Sequence, residues 1–133
     1  MAIGLVLVSH SARLAEGVRE VAEQVTQGTV RVIAVGGAED GSLGTNALAI
    51  LAAIESLSDN DDGVLVLVDL GSAVLSAETA LDQLDVELRE RVRLADAPFV
   101  EGAVAAAVEA SLDSGLDAVL AMAEAARGQV KLA

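Results

Sequence analysis

Residues 64–72 read VLVLVDLGS: five apolar residues, an aspartate where the run stops, then Gly71 and Ser72. An apolar run this short with no polar alternation reads as a strand buried on both faces. Such strands belong to parallel sheets that helices cover on either side. The sequence opens in the same way, with IGLVLV over residues 3–8 followed by Ser9, His10 and Ser11. Between these runs the apolar period changes to that of a helix. Leu14, Val18, Val21 and Val25 fall on one face of a helix over 12–27, which Gly28 stops. VRVIAV over 30–35 predicts another strand, and 92–95 a short fourth one. Further helices are expected over 46–57, with Leu51, Ile54 and Leu57 inward, and from 71 to about 84. Two more follow over 99–112, with Val100, Val104 and Val108 four apart, and over 116–126 after Gly115.

Strands alternating with helices imply right-handed crossovers and parallel pairing. The expectation is therefore one α/β domain over 1–126, an open, doubly wound, mainly parallel sheet with helices on both faces. Residues 127–133 read as a C-terminal tail. The 133-residue chain is 53% hydrophobic, yet Phe99 is its one aromatic residue, so the core has to be built from Ala, Val, Leu and Ile. No apolar run is long enough to span a bilayer. The first ten residues lack a basic leader and a cleavage pattern and read as a strand rather than a signal peptide. A cytoplasmic location is the resulting expectation. With no cysteine there is no disulfide, thiolate zinc site or cysteine nucleophile. Eight Lys and Arg residues, scattered along a chain of net charge −13, make nucleic acid and anionic membranes poor partners and a basic protein a good one.

In an open parallel sheet, ligands bind beyond the carboxyl ends of the strands, where the strand order reverses. His10, the one histidine, follows the first strand and Asp69 follows the third. If those strands are neighbours, the two side chains meet. A carboxylate on one imidazole nitrogen fixes the tautomer, frees the other nitrogen as a nucleophile and stabilises the ring once it turns cationic. The amides of Gly71, Ser72 and Ala73 open the next helix and suit a phosphoryl group, as does the helix start behind Ser11. The loop over 36–45 (GGAEDGSLGT) would lie above the same edge, with Gly36 and Gly37 allowing close backbone approach and Thr45 offering a hydroxyl. Ser9 and Ser11 also have a turn-stabilising reading, and Asp69 a helix-capping one. The loop is neither a lysine-type phosphate loop nor a complete dinucleotide fingerprint, and no G-x-S-x-G elbow is present. One histidine without cysteines argues against zinc; an all-carboxylate Mg²⁺ site stays open, with no convergent cluster visible in the sequence.

These segments also carry a resemblance. VLVSHSARLAEGV, GTNALAILAAIES, VLVDLGSAVLSAETAL and RLADAPFVEGAVAAAVEAS resemble the phosphotransferase subunits of bacterial phosphoenolpyruvate-dependent dihydroxyacetone kinases. The N-terminal domain of those subunits is similar to mannose-class EIIA domains of the sugar phosphotransferase system. The resemblance covers about residues 3–125 and implies a sheet of order 2-1-3-4 in a typically dimeric protein. It implies a phosphotransferase in which HPr phosphorylates His10, and His10 passes the group to ADP on the nucleotide-binding kinase subunit. No cofactor beyond the covalent phosphohistidine is then expected. By position, His10 matches the phosphorylated histidine, Asp69 its orienting carboxylate, and Gly71–Ser72 the phosphate-facing turn. Ser9, Ser11, Ala73, Gly37 and Thr45 complete the expected phosphate-binding set. Some members continue into HPr-like domains, whereas this sequence stops at 133, so a separate carrier is the expected donor. The alternatives are an EIIA domain feeding a sugar transporter and a non-enzymatic binding domain. DLGSA and VEGA favour the kinase branch.

Overall fold

A computed structural model describes residues 2–132. Met1 and Ala133, which fall in the expected domain and tail, lie outside the described residues. Four parallel strands form one sheet: β1 (Ile3–Ser9), β2 (Val32–Gly36), β3 (Gly63–Val68) and β4 (Val92–Leu94). Their order is β2-β1-β3-β4, as the resemblance implied. The chain leaves β1 toward one edge and β3 toward the other, so the order reverses between these two central strands. The register sets Ser9 beside Gly36 and Val8 beside Val68, which brings the residues after β1 and β3 to one rim.

The alternation of side chains along a strand divides the core in two. Ile3, Leu5, Leu7, Leu65 and Leu67 face α1 (Ala12–Thr26), α5 (Phe99–Ala110) and α6 (Leu116–Ala125). Val6, Val8, Val64 and Val66 face α2 (Ala47–Ser58) and α3 (Gly71–Asp82). Both faces of the sheet are therefore dry, which explains strands without polar alternation. Small residues line the contact where α5 packs on α1 and α6: Gly102, Ala103, Ala106, Ala107 and Ala110 are all buried.

Several details differ from the sequence reading. On α1 the buried stripe is Ala15, Val18 and Ala22, while Leu14, Val21 and Val25 are 44–48% exposed. Alanine lets this helix lie close to the sheet, and the larger residues are left on its flank. Leu51 of α2 is only partly buried, and Ile50 and Ala53 join Ile54 and Leu57 inside. The mixed stretch before β4 contains a short helix, α4 (Val86–Arg89), capped by the Asp85 side chain. A single 3₁₀ turn, Ala126–Gly128, joins the expected domain to the expected tail, and Ala126 is buried.

Candidate functional site

Each nitrogen of the His10 ring has a partner. Nδ1 lies 2.9 Å from Asp69 Oδ1, and Nε2 contacts Ser72 Oγ. An ionised carboxylate only accepts, so Nδ1 carries the proton and Nε2 holds the lone pair, to which the Ser72 hydroxyl donates. The backbone of His10 is held as firmly. Its N–H donates to Asp69 Oδ2 at 3.0 Å, and its carbonyl accepts the Gly44 N–H at 2.9 Å.

Asp69 organises this arrangement. Oδ2 accepts from Ser9 Oγ (2.9 Å) and His10 N–H, while Oδ1 accepts from His10 Nδ1 and the Leu70 N–H (2.7 Å). Burial opposes its ionisation, but these four donors outweigh the burial and hold the carboxyl below its usual range. The His10 side chain remains 27% exposed, so the ring is supported from beneath and reachable from above.

The structure separates the sequence-predicted donors into two groups. Gly71 and Ser72 are exposed at the start of α3, and among the described residues their N–H groups have no acceptor. The helix is preceded by Leu70, which supplies no side-chain cap, so its positive end is open beside Nε2. The other expected donors are committed internally. Ser9 is fully buried, its hydroxyl donating to Asp69 and accepting from the Ser11 N–H. The Ser11 hydroxyl accepts from the Leu14 N–H as the cap of α1. The Gly37 N–H donates to the Ser9 carbonyl, and the Ala73 N–H to the Leu70 carbonyl. Thr45 Oγ1 meets Ser76 Oγ at 2.5 Å rather than the imidazole.

The loop over 36–45 acts here as a brace. A Cβ on Gly36 would stand 2.5 Å from the Ser11 carbonyl oxygen, so only glycine lets the end of β2 pass the start of α1. Gly37 takes a left-handed φ of 83° as the loop turns away. The far end of the loop returns to His10 through Gly44 and to α3 through Thr45. Sequence reading missed Gly44 and Ser76. Ser76 lies four residues after Ser72, and that spacing, which puts both on one helical face, was the available signal. Among the described residues no group of three or more carboxylates and imidazoles is placed to hold a metal ion.

Comparison with known proteins fits this geometry. Residues 4–120 match the family described as "PTS system fructose IIA component" (EIIA-man). A Listeria innocua protein, "PEP-dependent dihydroxyacetone kinase 2, phosphoryl donor subunit DhaM", is 46% identical over 118 residues, 89% of this chain and 94% of that one. The phosphoryl donor subunit DhaM of Klebsiella michiganensis is 49% identical over 121 residues, and there the match spans only 25% of the longer relative. The crystal structure of a Streptococcus agalactiae phosphotransferase system component EIIA superposes with a TM-score of 0.70 at 14% identity, over 97% of this chain and 96% of that one, which shows the shared fold. The chain belongs to the EIIA-man family, in the branch of the DhaM phosphoryl donor subunits of PEP-dependent dihydroxyacetone kinases.

Proposed function

We propose that the protein is a phosphohistidine carrier which takes its group from phospho-HPr. It passes that group to ADP on the nucleotide-binding subunit of a dihydroxyacetone kinase. The observation that carries this reading is the ring geometry: Asp69 holds the proton on Nδ1, and Nε2 faces the uncapped start of α3. In the first transfer the P–N bond in the donor breaks as a P–N bond to Nε2 forms. No proton has to move, because Nδ1 keeps its own and Asp69 balances the charge of the phosphorylated ring. The second transfer breaks that bond and joins the phosphoryl group to a terminal oxygen of ADP.

Ser72 has two successive parts. Its hydroxyl donates to Nε2 in the resting state. Rotation about its side chain redirects the same hydroxyl to a phosphoryl oxygen, where the Gly71 and Ser72 amides complete the cradle. Ser9, Ser11, Gly37, Ala73 and Thr45 act one step back, by fixing Asp69, the start of α1 and the brace loop. The covalent phosphohistidine is the whole of the prosthetic chemistry, with no metal or resident cofactor. The cytoplasm is where both partners are met. Half-exposed Leu14, Val21 and Val25 on α1, with Val100, Val108 and Met122 on the same helical layer, support pairing with a second copy. Sedimentation of the purified chain tests that pairing.

The central test is incubation with phosphoenolpyruvate, the general phosphotransferase enzyme and HPr. An acid-labile phosphate is expected on the protein and none on His10→Ala; labelling that survives the substitution overturns the assignment. Adding the kinase subunits with bound ADP should discharge the phosphate. If they leave it in place and a sugar transporter's next domain removes it, the sugar-transport reading takes over.

A further inference from the structure

Hydroxyls elsewhere on the helices turn back on their own backbone. Thr26 donates to the Ala22 carbonyl, Ser58 to that of Glu55 and Thr79 to that of Leu75, three or four residues earlier. Ser76, in the middle of α3, does otherwise. Its Oγ meets Thr45 Oγ1 at 2.5 Å, across 31 positions of sequence. Thr45 Oγ1 also lies 3.5 Å from the Ser72 carbonyl, one turn earlier on α3. The residue before Thr45 holds the other half of the site: the Gly44 N–H donates to the His10 carbonyl at 2.9 Å. Two consecutive residues therefore tie the histidine to the helix that faces it.

The open N-terminus of α3 accounts for the need. A side-chain cap would fix that end, but it would also occupy amides that a phosphoryl group needs. Leu70 supplies no cap, and among the described residues the Gly71 and Ser72 N–H groups have no acceptor. The helix start has to be held from elsewhere. Its direct link to the ring, from Ser72 Oγ to Nε2, lasts only while Nε2 is free. We propose that Thr45 and Ser76 are positioning residues for phosphoryl transfer. Their hydroxyl pair replaces the missing cap one turn further along α3. It keeps the Gly71 and Ser72 amides aligned with Nε2 once the Ser72 hydroxyl has swung to the phosphoryl group. This rests on the carrier reading and deepens it, by naming what holds the cradle when the ring is loaded. Neither hydroxyl touches the reacting atoms. Ser72 and Ser76 share one face of α3, so a displacement at Ser76 is passed to Ser72.

Two phosphoryl donors separate positioning from docking. Phospho-HPr has to dock, whereas phosphoramidate is a small molecule: its P–N bond breaks, ammonia leaves and a P–N bond to Nε2 forms. Thr45→Val and Ser76→Ala each remove one hydroxyl, and alanine is the better helix former, so the second weakens no helix. Each should lower kcat with phospho-HPr, and the rate of labelling by phosphoramidate, about tenfold, inside the range for a displaced positioning group. The KM for phospho-HPr should stay within about twofold. Thr45→Ser, which keeps the hydroxyl, should run close to the wild-type rate. The double variant Thr45→Val/Ser76→Ala should be no slower than either single one, because the same bond is lost in all three. Nitrogen NMR of the resting ring should still show the proton on Nδ1, which Asp69 fixes. Thr79→Ala, on the same helix with its hydroxyl bonded to its own backbone, should change nothing. Wild-type rates in both single variants overturn the proposal, and so do losses that multiply in the double variant or a rise in KM with kcat intact. A loss that Thr45→Ser shares overturns it too, by assigning the effect to the threonine methyl group. Wild-type protein that phosphoramidate labels and phospho-HPr does not would end the carrier reading, while the phosphoramidate rates would still decide the hydroxyl pair.

Discussion

Two aspartates at opposite ends of the sheet are buried almost equally, with side chains 8% exposed at Asp69 and 6% at Asp61, yet their carboxyls shift in opposite directions. Asp69 accepts four hydrogen bonds and lies below the usual range. At Asp61 burial dominates and pushes the carboxyl up; Arg31, 3.7 Å away and 43% exposed, offsets this only in part, and Asp62 adds to it. Asp61 Oδ2 has no hydrogen-bond partner among the described residues. The difference follows from the direction of the elements. Parallel strands end where helices begin, so the C-terminal rim is rich in free N–H groups and the opposite rim in carbonyls. Asp61 sits just after α2, and its own N–H donates to the Leu57 carbonyl there. Burial alone does not mark a functional carboxylate; the donors that converge on it do.

Asp69→Asn should break this comparison with the largest effect. An amide accepts at one end only, whereas three separate groups and the His10 ring all donate to this carboxylate. The ring then loses the partner that keeps its proton on Nδ1 and balances its charge. Phosphoryl transfer should fall by about a hundredfold or more, the range for loss of a positioned proton-holding group. Stability should fall by about 1–3 kcal/mol, since buried donors are left without acceptors. The pH dependence adds a signature. With its folded pKa depressed, Asp69 contributes stability that is present above the unfolded carboxyl range and lost as pH falls through the folded value. Acid melts of the variant should lack that loss. Transfer at the wild-type rate would show that the ring does not depend on Asp69.

Much of this site was legible in the sequence. The run VLVLV and its twin at 3–8 dictated buried parallel strands, and the polar residues ending them marked the rim where His10 and Asp69 meet. What stayed hidden depends on packing. Leu70 is one more apolar residue just past Asp69 in the sequence, and only the fold turns its side chain to water. Leu14, Val21 and Val25 kept the period of a core face, but alanines took the inside of α1. Ser9, Ser11, Gly37 and Ala73 lie near the rim, but internal hydrogen bonds engage them: Ser9 Oγ donates to Asp69, Ser11 Oγ accepts from the Leu14 N–H, and the Gly37 and Ala73 N–H groups donate to backbone carbonyls. Asp61 lies in SDNDDG, where nothing distinguishes it from its exposed neighbours Asp59 and Asp62.

The opposite rim can be tested through Gly4. A Cβ there would stand 2.5 Å from Asp61 Oδ2 and 3.0 and 3.2 Å from the Leu57 methyl groups. The missing side chain is thus the space the carboxylate occupies. Gly4→Ala should destabilise the fold by about 1–3 kcal/mol, the cost of overpacking. Asp61→Ala in the same chain should recover much of it, a coupling that chemical denaturation of the four proteins in the cycle would measure. Transfer activity of the folded variant should hold, because Gly4 and His10 are six residues apart on one strand, about 20 Å. A strictly additive cycle would show that the two residues do not share that space.

Asp61→Asn should give the smallest effect and the opposite sign from Asp69→Asn. A carboxyl whose folded pKa is raised favours the native state below its unfolded value, and that contribution is lost as pH rises through the folded one. At neutral pH the wild type therefore carries a buried charge whose nearest counter-ion is half in water, a pairing of little value. Replacing it with a neutral amide should raise stability by about 1 kcal/mol at pH 7 and by less near pH 4, where the wild-type carboxyl is partly protonated. Thermal melts of both proteins across this range would show the gain growing with pH. A loss at neutral pH would mean that Arg31 holds the charge more tightly than its exposure allows, and the two rims would then treat a buried carboxylate alike.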